Sequence, residues 1–153
     1  MPDEEKLSSY LNKSKLISNS NYEKKIRIAI LGGFTLNGLE ETMRVKCDEK
    51  KIQCATYVSG YNQYNQEILD EKSHLYKFSP DITFLIIDSR NVLEELFLNP
   101  YFVSVEERKL FVQNKSDEII NLVKTFTKKS KSKLIISNFS VPSYFQFTEI
   151  SIY

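Results

Sequence analysis

A three-layer α/β/α sandwich around a parallel sheet is the fold class this sequence predicts, on three observations. Residues 26–31 (IRIAIL) and 82–87 (ITFLII) are short, almost unbroken apolar runs, as expected of strands covered on both faces. Helically spaced stretches separate the strand runs, and strands alternating with helices imply parallel pairing through right-handed crossovers. Polar clusters follow the strand runs, at 32–35, 88–91 and 137–138. Ligands of open α/β sheets gather outside the carboxyl ends of the strands, so all three clusters should open onto one edge.

The elements follow in order. Residues 1–24 are rich in Ser, Asn, Lys and Glu, with Leu7, Tyr10, Leu11 and Leu16 at helical spacing. They read as a polar arm or a modest helix packed on the outside of the domain. The first strand ends at Gly32-Gly33, where the backbone can turn sharply. Leu36, Leu39, Met43 and Cys47 then fall on one helical face. Asn37 with Glu40 has the spacing of a capping box, and Thr35 is a second candidate for the helix start. Ile52, Cys54, Thr56 and Val58 alternate with Gln53, Ala55 and Tyr57 as a second strand, broken by Gly60.

Residues 60–66 form an aromatic, amide-rich loop, followed by a short helical piece through Ile68 and Leu69. Pro80 disfavours helix at Ser79 and introduces the strongest strand, 82–87, which should be central. A short helix and a loop around Pro100 occupy 91–103. Ser104 and Glu107 form a capping box ahead of a long helix with Val112, Ile119, Val123 and Phe126 on its inner stripe. Leu134, Ile135 and Ile136 make the last strand, and the pattern fades after Pro142. The outline is flavodoxin-like, one domain over 25–153 behind the 1–24 arm.

Bulk properties narrow the function. The chain has 153 residues, 41% hydrophobic and 27% charged, an ordinary globular composition with room for one core. A net charge of +1 gives no reason to expect nucleic acid or an anionic membrane as partner. The Lys-rich run 128–133 follows a helix, where cations favour the negative end of its dipole. Cys47 and Cys54 have neither zinc nor redox-pair spacing and read as buried thiols. No N-terminal apolar run or membrane-length segment occurs, so a cytoplasmic protein is expected.

The candidate site consists of Gly33, Phe34 and Thr35 after the first strand, Gly60 and Tyr61 after the second, Asp88 and Asn91 after the third, and Asn138 after the fourth. Thr35 is a nucleophile candidate or a turn and helix-start hydroxyl; hydroxyl nucleophiles are weak without an adjacent base. Asp88 could orient a base or cap the following helix. Tyr61 is a loop-packing aromatic or an interface anchor. Gly32-Gly33 could cradle a phosphate, but there is no Gly-x-Gly-x-x-Gly and no Walker lysine. No cofactor and no metal site are therefore expected. The single histidine, His74, has no Asp placed to orient it.

Several spaced landmarks resemble the N-terminal region of FkbH-like proteins. They are Phe34-Thr35 after the first strand, the Tyr61 to Gln66 loop, and Ser73, Leu75, Tyr76, Phe78, Pro80 and Asp81 before the third strand. The likeness spans roughly residues 25–140 and implies an SGNH-hydrolase-like domain ahead of a haloacid-dehalogenase-type catalytic domain. It implies partners too: that catalytic domain, in cis or in trans, and an acyl carrier protein bearing an acyl or glyceryl group, in polyketide or polysaccharide pathways. The catalytic signature Asp-x-Asp-x-Thr is absent from this chain.

Against the SGNH pattern, Thr35 falls at the nucleophile, Phe34 replaces the preceding Asp, and Gly60 falls near the oxyanion glycine. Asn91 or Asn138 stands for the third block's Asn, and the closing Asp-x-x-His is missing. The resemblance leaves open a closing strand and histidine beyond Tyr153. The expectation is an accessory domain that positions a carrier-bound group, with a Thr35-dependent acyl hydrolase or transferase and a phosphate- or nucleotide-binding domain as alternatives.

Overall fold

The computed structural model describes residues 6–18, 22–98 and 102–139. Its elements run α1 (Leu7–Leu16), β1 (Lys24–Gly32), α2 (Leu39–Asp48), β2 (Ile52–Val58), α3 (Tyr64–Leu69), α4 (His74–Phe78), β3 (Ile82–Ile86), α5 (Ser89–Leu93), α6 (Glu95–Leu98), α7 (Val105–Lys129) and β4 (Lys133–Ile136). The strands form one parallel sheet in the order β2-β1-β3-β4. The α/β class read from the sequence is the fold observed, with β1 and β3 inside the sheet.

Register explains how the apolar runs divide between two faces. Tyr57, Ala29, Thr83 and Leu134 lie in one row across the four strands, and Val58, Ile30, Phe84 and Ile135 in the next. Successive residues point to opposite faces. The first row belongs to the core that Ala29, Leu31, Leu85 and Ile87 share with Tyr64, Ile68 and Leu75 and with Leu122 and Phe126 of α7. Ala29, Ile30, Leu31 and Leu85 are wholly buried. Thr83 is buried as well, and its hydroxyl is within 2.8 Å of the Ser132 hydroxyl, so this polar side chain in the core is satisfied.

Local chemistry sets the helix ends, in one place against expectation. Ser104 accepts the Glu107 amide while Glu107 accepts the Ser104 amide, the reciprocal box foreseen for α7. These bonds hold the Glu107 carboxyl below the usual carboxylate range. The start of α2 differs: neither Asn37 nor Thr35 caps it. Gly38, with φ of 83°, stands at the cap position without a side-chain bond. A β-carbon there would run into Leu7 of α1; the close packing of α1 on α2 and the left-handed backbone both require glycine. Glu40 instead accepts the Thr56 hydroxyl at 2.6 Å, tying α2 to β2.

Three further expectations are corrected. Val112 is 47% exposed and lies off the inner stripe of α7, which is built on Leu122 and Phe126 with Ile119 packed alongside. Helix follows β3 directly from Ser89, ahead of the expected 91. Cys47 and Cys54 are only half-buried, and burial, then the neighbouring Cys47, pushes the Cys54 thiol up to about 12. Residues 99–101 (the Pro100 loop) and 140–153 lie outside the described residues. Among the described residues no helix is long and apolar enough to cross a membrane.

The amino ends of the strands are drawn together at Asp81. Its backbone N–H donates to the Arg27 carbonyl at 2.8 Å, and its carboxylate accepts the Arg27 N–H at 2.7 Å. Lys133 N–H donates to the Asp81 carbonyl at 3.0 Å, so one residue joins β1, β3 and β4. The far side of β4 is different. Lys133 and Ser137 donate inward to the β3 side, and a parallel ladder uses alternate residues. Leu134 and Ile136 therefore turn their backbone groups outward, away from the sheet.

Candidate functional site

The carboxyl ends of the four strands make the opposite rim, and each strand end is shaped by its own residues. Gly33 N–H continues the ladder to the Ile86 carbonyl at 3.0 Å, while Ser59 N–H donates to the Ile30 carbonyl at 3.0 Å. The Ser59 hydroxyl accepts Gly32 N–H at 3.4 Å. Ser137 N–H donates to the Leu85 carbonyl at 3.1 Å. The three polar clusters thus leave the sheet side by side, as parallel topology requires.

Gly33 is buried, and a β-carbon on it would stand 3.2 Å from Asn91 Nδ2, 3.6 Å from Asp88 N and 3.7 Å from the Tyr64 ring. The Asn91 amide donates to the Gly33 carbonyl. Asn91 is therefore committed to holding the β1 turn against α5. Asp88 is the N-cap of α5, its carboxylate accepting Arg90 N–H at 3.2 Å. Burial raises the Tyr64 phenol above its ordinary value beneath this turn.

Two hollows open on the rim, and Phe34 belongs to both. The first, of about 220 Å³, is lined by Thr35, Leu36, Asn37, Glu40, Ser59 and Tyr61 among others. The second, of about 340 Å³, is lined by Phe34, Ile86, Ile87, Asp88, Arg90, Ser137 and Asn138. Of the residues singled out in the sequence, Thr35 and Tyr61 enter the first hollow, Asp88 and Asn138 the second, and Gly33 and Asn91 brace the turn between them. Gly60 lines neither; a β-carbon there would meet only the Gln63 side chain. Arg90 and Ser137 belong to the 88–91 and 137–138 clusters without being singled out in them, and Ser59 was missed, although it immediately follows β2.

Among the described residues the first hollow sets no histidine beside Thr35, and the acids in its wall are Glu40 and Glu41. Thr35 is exposed, and its side chain makes no hydrogen bond to a base among the described residues. His74 is exposed on α4, which leads through Ser79, Pro80 and Asp81 into the amino end of β3. It therefore lies toward the other end of the sheet. Glu40, the acid nearest in sequence, is already bonded to Thr56. No group of three or more His, Cys, Asp or Glu able to hold a metal gathers among the described residues.

Comparison with known proteins adds three findings. Residues 27–143 match the family model described as FkbH, N-terminal domain. No curated protein matches the sequence. A solved structure of the N-terminal part of a Bacteroides fragilis protein, containing a phosphatase domain and complexed with Mg, superposes with a TM-score of 0.72 at 18% identity. That match covers 91% of this chain and 35% of the other. At this identity the likeness is one of fold, and the chain spans about a third of its neighbour's length.

Proposed function

This chain belongs to the FkbH N-terminal domain family, and from that premise we propose that it is an accessory domain that positions a substrate for a partner catalytic domain. The substrate is an acyl or glyceryl group carried by an acyl carrier protein, and the partner is of the haloacid-dehalogenase type. Biosynthesis of a polyketide or polysaccharide is the setting this reading implies. The domain itself is SGNH-like in outline and works by holding rather than by cleaving.

One observation carries the reading. The strand ends gather two hollows around Phe34, while the chain's single histidine is exposed toward the opposite end. The rim therefore has walls, donors and acceptors for a ligand, and among the described residues no histidine stands in the hollow that Thr35 lines. A mixed lining of aromatic, amide and hydroxyl groups suits a small polar unit on a flexible arm. The structural match to a protein that contains a phosphatase domain supports a two-part architecture.

Titration of the isotope-labelled chain with glyceryl- or acetyl-loaded acyl carrier protein tests this. Saturable resonance shifts at Thr35, Gly60, Tyr61 and Asp88 are expected. Shifts confined to Arg27, His74 and Asp81, or none at millimolar carrier protein, would reject it. Turnover of simple esters by the chain, lost in Thr35→Ala, would replace it with the hydrolase reading.

A further inference from the structure

We infer that residues 140–153 of this chain dock across the open face of β3 and β4 and so complete the third layer of the sandwich. The docking needs neither a carrier protein nor a partner domain.

The two faces of the sheet are covered unequally. One face carries Ala29 and Leu31 of β1, Leu85 of β3 and Leu134 of β4, and it packs on α3, α4 and α7. The other is shared by Ile28 and Ile30 of β1, Ile82, Phe84 and Ile86 of β3, and Lys133 and Ile135 of β4. Over β1 this second face is closed. There α2 is bonded through Glu40 to Thr56, which lies beside Ile28, and Ile28 and Ile30 are 6% and 0% exposed. Over β3 and β4 it stays open. Half-buried Ile82, Phe84 and Ile86 alternate with buried Thr83, Leu85 and Ile87, and Ile135 is 44% exposed.

Exposure at Ile135 alone would be ordinary for an edge strand. But β3 stands between β1 and β4, and an interior strand of a parallel sheet is covered on both faces. An apolar strip running the length of such a strand calls for a further cover.

The chain carries a segment suited to that place. The described residues end at Phe139, three residues past β4, on the strand that borders the open face. Of the fourteen residues that follow, Tyr144, Phe145, Phe147, Ile150 and Ile152 are large and apolar or aromatic, and Glu149 is the only charge. Fully extended they span up to about 46 Å, against about 17 Å for the five residues of β3. They can therefore turn at Pro142 and run back along the strip. Lys133 is exposed at the amino end of the same face and offers Glu149 a counter-charge. A covalently joined segment is present at an effective concentration on the order of millimolar, an advantage that a second copy or a separate partner lacks.

Nuclear Overhauser effects in the full 153-residue chain test the docking. With isoleucine methyls and aromatic rings labelled, cross-peaks are expected from Ile82, Ile86 and Ile135 to Phe145 and Phe147. Joint replacement Phe145→Ser and Phe147→Ser should lower the urea midpoint. It should also speed exchange of the Ser137 amide, which bonds the Leu85 carbonyl, by about tenfold or more, the scale of one buried aromatic ring. Ile135→Lys should do the same, and combining it with the serine replacements should add little beyond either change.

Absence of those cross-peaks, or serine replacements that leave the midpoint and Ser137 exchange unchanged, would overturn the inference. So would cross-peaks confined to Ile136, on the opposite face. Cross-peaks seen only between differently labelled copies, and lost on dilution, would overturn it too by making a second copy the cover. The cross-peaks are read in the unaltered chain, so they decide the matter even if a variant does not fold.

Discussion

The two rims of the sheet are made from the same four strands, yet they are finished differently. At the amino rim Asp81 bonds Arg27 through both backbone and carboxylate and takes Lys133 N–H as well; Arg27 also donates to the Phe78 carbonyl at 3.3 Å. Polar groups there are spent on one another. At the carboxyl rim Asn91 and Asp88 are spent on the turn and on α5, while Thr35 lines one hollow and Ser137 and Asn138 line the other. The difference teaches that polarity at a strand end does not mark a site. What marks one is polarity left over after the backbone has been satisfied.

The strongest way to break the contrast is to remove the core both rims hang from. Leu85 is wholly buried in a central strand, and Leu85→Ala should cost about 2–5 kcal/mol. Urea unfolding reads this as a lower midpoint, with both rims affected together. Asn91→Ala sharpens the contrast. It strips the partner from the buried Gly33 carbonyl, at a cost of about 1–2 kcal/mol, and should loosen amide exchange at 32–35 while leaving Arg27 protected.

Asp81→Ala is the mirror experiment. The Arg27–Asp81 side chains are about half exposed, so the ion pair adds little, and the lost N–H acceptor sets a cost of about 1 kcal/mol. Carrier-protein shifts at Thr35, Tyr61 and Asp88 should be unchanged in this variant. Smallest of all, Thr35→Ala should move the unfolding midpoint by less than about 0.5 kcal/mol equivalent, since the residue is exposed and caps nothing.

Much of this was legible in the residues themselves. Unbroken apolar runs such as 82–87 announce interior strands because both faces are covered, and the Ser104-to-Glu107 spacing announces its own capping box. What escaped depends on neighbours distant in sequence. Gly38 caps α2 because Leu7 packs against it; no local rule ranks it above Asn37. Ile135 and Ile136 look as apolar as Ile30, yet they are 44% and 42% exposed against 0% because their strand lies at the end of the order. Val112 kept the helical period but fell on a flank of α7. The role of Asn91 was invisible for the same reason, its acceptor lying 58 residues away.

Phe34 has one consequence for the chemistry of the rim. It is shared by the walls of both hollows and is 38% exposed. A guest in one hollow that shifts this side chain therefore alters the wall of the other. Whatever factor the first guest imposes on the second's dissociation constant, the second must return in equal measure.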